Sequence, residues 1–159
     1  TLHKVLVSIT DELQSRKQIL RTAGVANIDG YNRNAKKKLY RIVFACDEIA
    51  EVLDKTGLSK QQKDEILKIE SELSIIARQG RAFGIHLVLA TQRPDAAILN
   101  GQIRNNIDTR ICGRADNVLS QIILDNTDAS DKIAKSSQGR FLTNSGKIFQ
   151  AYWFDENIL

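Results

Sequence analysis

Two consecutive carboxylates, Asp47 and Glu48, directly follow an apolar run that extends over 39–46. The run is rich in β-branched and aromatic residues, which predicts a strand buried on both faces of a parallel sheet. The carboxyl end of such a strand opens onto the crevice in which α/β proteins bind ligands. There an aspartate can hold Mg²⁺ through water while a glutamate orients the attacking water in phosphoryl transfer. This is a Walker B arrangement, although acids recruited to the N-terminus of a following helix give the same pattern.

A second apolar strand, predicted over 85–90, ends in Thr91 and Gln92. A polar amide at the tip of a neighbouring strand can sense a γ-phosphate; the alternative for Gln92 is a turn residue that bonds local backbone. Arg81 precedes this strand, near the predicted end of a helix. A cation is favourable there because of the helix dipole, and an arginine finger reaching a neighbouring subunit's nucleotide is the functional alternative.

Long helices and a hairpin are expected to hold these strands in place. Helices are predicted over 2–23 and 59–83, the second with Ser59 as N-cap and Gly84 as its end. The Gly- and Asn-rich stretch 24–34 predicts a structured loop. Further predictions are a short helix over 48–54, a strand over 109–112, a helix over 117–124 and a hairpin that pairs 139–143 with 147–153. Strands alternating with helices indicate the α/β class.

Composition restricts the class of protein. The 159 residues are 42% hydrophobic and 26% charged, typical of one ordinary globular domain, with no apolar run long enough to span a membrane. Cys46 and Cys112 lie in apolar stretches without metal-ligand spacing, which favours reduced thiols and a cytoplasmic location. His86, inside an apolar strand, and Trp153, in the hairpin, are interpreted as structural residues.

The net charge of +4 is unevenly distributed. Residues 1–41 hold nine basic and three acidic side chains, 42–75 four and eight, 76–114 six and two, and 115–159 four and six. Solvated helix faces explain such alternation, and so do two basic blocks that fold onto one surface facing an acidic polymer.

Several segments of the chain together resemble the motor domain of the FtsK/SpoIIIE family of DNA translocases. The most specific is Arg81-Ala-Phe-Gly-Ile-His-Leu-Val-Leu-Ala-Thr-Gln-Arg-Pro94. Ile103-Arg-Asn-Asn-Ile-Asp-Thr-Arg-Ile111, Ile123-Leu-Asp125 and the upstream Ala23-Gly-Val-Ala-Asn-Ile-Asp-Gly-Tyr-Asn32 agree with it. The resemblance covers nearly the whole chain and implies part of a RecA-like P-loop NTPase core, with a mainly parallel sheet and a C-terminal β-hairpin.

The resemblance also implies a function, in which hexameric rings use ATP and Mg²⁺ to pump double-stranded DNA through a central channel. Asp47 and Glu48 match the Walker B pair, with Asp47 holding Mg²⁺ through water. These two residues, Thr91 and Gln92 would then contact ATP, with Gln92 as the strand-tip sensor. Arg81 matches an arginine that acts across the subunit interface, and Arg93 a channel-loop arginine that contacts the DNA backbone.

Two departures from the family pattern affect these expectations. Asn117 and Gln121 stand where the family's second DNA loop carries a lysine and an arginine, and Arg114 is the nearest cation that can bind DNA instead. No Gly-x-x-x-x-Gly-Lys-Ser/Thr phosphate loop (Walker A) occurs in these 159 residues. We therefore expect 1–159 to be a single fragment of a motor domain, from Walker B to the C-terminal hairpin, and inactive without the Walker A part.

The full-length protein is expected to act in chromosome segregation during cell division or in conjugative DNA transfer. Any anchor to the inner face of the cell membrane would lie outside this chain. A non-catalytic α/β adaptor or DNA-binding module that lost the nucleotide site is the alternative from another class. A coupling ATPase acting on single strands is a third, disfavoured because the chain has no run of aromatic residues for base stacking.

Overall fold

The computed structural model describes residues 1–92 and 101–152, which belong to two compact units that divide between residues 107 and 108. The first unit pairs two strands in parallel, and the second forms a small antiparallel sheet. The helices and strands of the first unit are α1 (Leu2–Thr22), α2 (Ile28–Asn34), β1 (Ile42–Cys46), α3 (Ile49–Leu53), α4 (Lys60–Gln79), a 3₁₀ turn (Gly80–Phe83), β2 (Ile85–Leu89) and α5 (Gly101–Asn105).

Helices α1 and α4 lie side by side and run in the same direction. His3 contacts Glu65 and Lys17 contacts Gln79, two pairs with the same sequence offset, and Thr10 with Glu72 forms a third between them. The pairs recur every seven residues, the repeat of a coiled-coil seam. Beneath them lie buried side chains at heptad spacing: Leu6, Leu13 and Leu20 from α1, and Ile66, Ile69, Leu73 and Ile76 from α4.

These helices cover one face of the β1–β2 pair. Ile42, Phe44 and Leu87 pack against the α1–α4 core, whereas Val43 and Val88 on the other face are 61% and 54% exposed. The expectation of a strand buried on both faces is therefore wrong for this chain, because the described helices pack on one side only. The strand also begins later than predicted, at Ile42.

The second unit contains β3 (Ile111–Cys112), α6 (Asn117–Leu124), α7 (Asp128–Lys132), β4 (Arg140–Thr143) and β5 (Ile148–Gln150). Its strands are ordered β3–β4–β5, all antiparallel. The predicted hairpin is confirmed over its described residues, with Gly146 in the left-handed region at φ 82°. The core of the unit consists of Cys112, Leu124, Ala129, Ile133 and Leu142.

Local capping explains where the helix predictions succeed and fail. Ser59 caps α4 in a reciprocal capping box with Gln62, as the sequence predicted. The prediction of a loop over 24–34 is wrong, because the Asn27 side chain accepts a hydrogen bond from Gly30 N at 2.8 Å and starts α2. The glycine and asparagine content of this segment masked a helix start that an N-cap asparagine permits.

Both cysteines are free thiols, as predicted. Burial raises the pKa of Cys112 and of Cys46; at Cys46 the Asp47 and Glu48 carboxylates add to the rise, and a hydrogen bond with the Glu48 backbone opposes it. Both thiols therefore stay protonated at neutral pH. In the described part of the chain, no helix is long and apolar enough to cross a membrane.

Gly84 and Gly57 provide a matched test of how tightly the turn before β2 is packed. Both have positive φ, 73° and 70°, but a Cβ on Gly84 would overlap Ile28 Cδ1, whereas a Cβ on Gly57 would meet nothing within 4 Å. We expect Gly57→Ala to lower the free energy of unfolding by about 1–2 kcal/mol, the cost of the left-handed conformation. Gly84→Ala should cost about 1–3 kcal/mol more, because it also overpacks a buried site. Equal losses in equilibrium urea unfolding would contradict this packing argument.

Candidate functional site

The carboxyl ends of β1 and β2 bring four polar residues to one edge of the parallel pair. The register aligns Cys46 with Leu89, and Ala90 N donates to Cys46 O at 2.8 Å just beyond the last aligned residues. Asp47 and Glu48 follow β1, and Thr91 and Gln92 follow β2. One further hydrogen bond, from Ile49 N to Ala90 O at 3.0 Å, joins the start of α3 to the segment that follows β2. The two strand tips therefore stay side by side up to the start of α3.

The Glu48 carboxylate is bound to the tip of β2. Its Oε1 accepts a hydrogen bond from the Thr91 hydroxyl, and its Oε2 accepts one from Gln92 N at 2.8 Å. Glu48 occupies the N-cap position of α3, but its side chain makes no capping hydrogen bond. The orientation of the Glu48 carboxylate is therefore set by the neighbouring strand and not by a hydrogen bond to the first turn of α3, although the residue does lie at that helix N-terminus.

Asp47 offers an exposed carboxylate at the same edge. A single carboxylate suits Mg²⁺, which keeps several waters and is usually completed by substrate phosphates. Within 1–92 and 101–152 no group of three or more His, Cys, Asp or Glu side chains forms a metal cage. Asp47 thus fits a Mg²⁺ ion shared with a nucleotide, rather than a protein-enclosed one.

Arg81 lies at the opposite end of the sheet. It belongs to the 3₁₀ turn that precedes β2, whereas Asp47 follows β1. The two strands are parallel and five residues long, so the two ends are separated by roughly 17 Å at ~3.3 Å per residue. The structure therefore brings Asp47, Glu48, Thr91 and Gln92 together and leaves Arg81 apart from them.

Arg16 holds the turn that carries Arg81, a role that the sequence reasoning missed. Its side chain is 4% exposed, and it donates from Nε to Glu12 Oε1 at 2.7 Å and from a terminal guanidinium nitrogen to Phe83 O at 2.8 Å. In the heptad pattern of α1 it occupies an inward position, in line with Leu2 and Ile9. An arginine at an apolar position of the seam was the signal that could have identified it.

The residues predicted to contact DNA lie in the second unit or outside the described residues. Arg114 is exposed in the second unit, before α6, where Asp116 caps the helix by accepting from Leu119 N at 2.8 Å. Asn117 and Gln121 are exposed residues of α6. Arg93, Pro94 and Trp153 lie outside the described residues. His86 is half-buried in β2, and its interpretation as a structural residue stays a prediction.

Sequence comparison relates the chain to DNA translocases. It is 35% identical over 136 residues to DNA translocase FtsK of Chlamydia pneumoniae, covering 82% of this chain. It is 33% identical over 145 residues to DNA translocase FtsK of Chlorobaculum tepidum, covering 90%. The chain spans only 17% and 16% of those two relatives. No protein-family profile matches it.

Solved structures agree with this relationship. The pCW3 conjugation coupling protein TcpA, in its monomer form with ATPγS, superposes with a TM-score of 0.91 at 40% identity, covering 99% of this chain and 45% of that one. EssC (ATPases 2 and 3) from Geobacillus thermodenitrificans matches with a TM-score of 0.69 at 22% identity, covering 92% and 26%, and shows the fold alone. The expected partial P-loop ATPase core, with a parallel sheet and a C-terminal antiparallel hairpin, is confirmed.

Thr91→Val tests the hydrogen bond that positions Glu48. The substitution keeps the side-chain shape but removes the hydroxyl donor, so we expect the free energy of unfolding to fall by about 1–2 kcal/mol. The Gln92 amide, which donates to the same carboxylate, should also exchange with solvent faster in hydrogen-exchange NMR. Thr109→Val is the control, because Thr109 is exposed in the second unit. If both variants match the unsubstituted protein in stability and exchange, Thr91 does not hold Glu48.

Proposed function

Because this chain belongs to the FtsK/SpoIIIE family of motor proteins, we propose that it forms the Walker B side of the ATPase site in an ATP-driven double-stranded DNA translocase. The observation that carries the proposal is the Glu48 carboxylate, bound by the tip of β2 beside an exposed Asp47. The experiment that tests it is ATPase and translocation assays on the full-length protein with the variants below.

Asp47 and Glu48 divide the chemistry in this proposal. Asp47 would hold Mg²⁺ through water, and the ion would neutralise charge on the phosphates of ATP. Glu48 orients the water that attacks the γ-phosphate. A carboxylate has about four lone-pair sites, and the Thr91 hydroxyl and Gln92 N occupy one on each oxygen. The two donors keep the carboxylate from rotating, so that it is held in one orientation toward the attacking water.

Gln92 is assigned to sensing the γ-phosphate. Its backbone N–H is bound to Glu48, whereas the residue itself is exposed. A γ-phosphate that binds the side-chain amide of Gln92 therefore also acts on the Gln92 backbone N–H, which orients Glu48. Thr91 contributes as a positioning residue for Glu48.

This chain lacks the phosphate loop that supplies most of the contacts to ATP and Mg²⁺. The proposed site is therefore complete only with a Walker A segment from the full-length protein, and the 159 residues alone are expected to be inactive. Arg81 completes the site from another copy, because it lies at the far end of the sheet from its own Asp47 and Glu48. A closed ring, proposed to be a hexamer, provides that arrangement.

Double-stranded DNA is the proposed substrate, with Arg93 and Arg114 contacting backbone phosphates. Conjugative DNA transfer is the favoured process, because the conjugation coupling protein TcpA is 40% identical over 99% of this chain. Chromosome segregation, the other process that the family resemblance implies, is the alternative. Action at the cytoplasmic side of the membrane, through an anchor outside this chain, fits both processes.

Mixing two inactive variants of the full-length protein tests the shared site. Glu48→Gln should preserve ATP binding and abolish hydrolysis, since it loses one of the two acceptor oxygens and the negative charge. Arg81→Ala should lower kcat by roughly 10³-fold or more. A mixture of the two should regain DNA-stimulated ATPase activity, because an intact Glu48 of one subunit can meet an intact Arg81 of the next. Activity no greater than the two variants measured separately would show that Arg81 does not act in trans.

Arg93→Ala tests the proposed DNA contact in the full-length protein. Removing one phosphate contact should weaken duplex binding for all sequences alike and reduce the magnitude of the slope of log K against log salt by about 0.9. Arg33→Ala, at an exposed arginine of α2, is the control and should leave the slope unchanged. An unchanged slope for Arg93→Ala would contradict the contact.

A further inference from the structure

A cavity of about 490 Å³ lies in the first unit, at the amino ends of β1 and β2. This volume is in the range of small-ligand sites. The cavity is at the opposite edge of the sheet from Asp47 and Glu48. Its walls come from the start of α2, the residue before β1, the end of α4 with the following 3₁₀ turn, and β2. The side chains that matter here are Asn27, Asp29, Arg41, Arg78, Gln79 and Arg81.

The cavity wall carries excess positive charge. It includes three arginines and a single carboxylate, that of Asp29. Arg41 donates to Asp29 Oδ1 at 2.8 Å, but the pair is half-exposed, with 55% and 63% of the two side chains accessible. Exposed ion pairs of this kind are weak and exchange readily with other anions. Within the described part of the chain, the Arg78 side chain forms no hydrogen bond or ion pair.

The side-chain amides of Asn27 and Gln79 also present N–H donors to the cavity, because each amide oxygen already accepts a hydrogen bond. Asn27 Oδ1 accepts from Gly30 N, and Gln79 Oε1 accepts from the Lys17 ammonium. A backbone N–H and an ammonium can only donate, so each amide oxygen already accepts one hydrogen bond. The amide nitrogens of Asn27 and Gln79 are the groups left for a ligand. The cavity wall therefore presents several N–H donors and one carboxylate, that of Asp29.

We propose that this cavity binds a phosphoryl group through Arg78 and Arg41, with Asp29 as an internal competitor for Arg41. A phosphoryl group fits better than a carboxylate, because its three or more oxygens can accept from several guanidinium groups at once. One source is the terminal phosphate of a nucleotide held by a second copy of the chain. This source rests on the proposed function, in which Arg81 reaches that phosphate, and it adds Arg78 as a second cation. The other source is a DNA backbone phosphate.

Titration of this 159-residue chain with inorganic pyrophosphate, followed by NMR of the backbone and arginine side-chain N–H groups, tests the site. Saturable shifts should map to the cavity wall. Arg78→Gln should weaken binding about tenfold, the loss of one charge-assisted contact. The matched control Arg33→Gln removes an exposed arginine of the same unit that does not line the cavity, and should change the affinity less than twofold. Equal affinities in the two variants, or shifts that map elsewhere, would overturn the proposal.

Asp29→Asn gives a change in the opposite direction. It removes the competing carboxylate and frees Arg41, so pyrophosphate should bind about threefold to tenfold more tightly. Weaker or unchanged binding would refute the role of Asp29 as a competitor. Thermal unfolding of each variant confirms that it folds, which is expected because Asp29, Arg33 and Arg78 are all exposed.

Competition distinguishes the two sources. Displacement of pyrophosphate by ATPγS but not by duplex DNA, both compared at the same ionic strength, assigns the nucleotide, and the reverse result assigns the DNA backbone. If neither displaces pyrophosphate, the cavity does not recognise a biological phosphoryl group and the proposal fails. These outcomes are independent of the ATPase assays, because they need neither hydrolysis nor the Walker A segment. The proposal for the cavity can therefore be refuted while the proposed motor function is supported, and the motor function can be refuted while the cavity proposal is supported.

Discussion

The parallel pairing of β1 with β2 is the constraint on which both candidate sites depend. Parallel strands place their two carboxyl ends at one edge and their two amino ends at the other. One edge consequently gathers Asp47, Glu48 and Thr91, and the other gathers Arg41 and the turn that carries Arg81. A shift of one residue in the register would move Thr91 away from the Glu48 carboxylate and turn the apolar side chains of a strand away from the helices.

A buried arginine in the α1–α4 seam holds the turn that carries Arg81 at the amino ends of the strands. Most inward positions of α1 are leucine, but the position nearest the 3₁₀ turn is Arg16. Its side chain donates one hydrogen bond to Glu12 Oε1 and one to Phe83 O. A buried arginine without such partners would be strongly destabilising. Its presence therefore ties the orientation of the turn, and with it Arg81, to the packing of the two long helices.

The sequence predicts the parts of this fold that depend on local pattern. The Ser59 cap and the bounds of α6 follow from residues close together in the chain, whereas α4 ends earlier than predicted, at Gln79, and Gly84 ends the 3₁₀ turn that follows it. The convergence of the four strand-tip residues was expected from the α/β pattern, but the specific bond between Thr91 and Glu48 was not. Those two residues lie 43 positions apart, and only the register of the sheet brings them together.

Other features escaped because tertiary packing overrides composition. Val5 and Leu67 fit a helical apolar pattern, yet they are 50% and 52% exposed, since the seam selects Leu6 and Ile66 instead. The start of α2 was hidden by its glycine and asparagine content. The cavity at the amino edge was missed because Asp29, Arg41 and Arg78 come from three segments that show no shared motif.

The separation of charge between the two edges has a consequence for how a motor of this design must assemble. Phosphoryl transfer requires carboxylates that manage Mg²⁺ and water, and cations that stabilise charge on the phosphate, within a few ångströms of one nucleotide. Here Arg81 is about one strand length away from Asp47 and Glu48, so one copy cannot bring Arg81 and its own two carboxylates to the same phosphate. In the proposed ring, the acidic edge of one subunit faces the basic edge of the next. Hydrolysis at each interface then depends on residues of both neighbouring subunits. In that ring, the direction of the parallel strands would itself link the site of one subunit to Arg81 of the next.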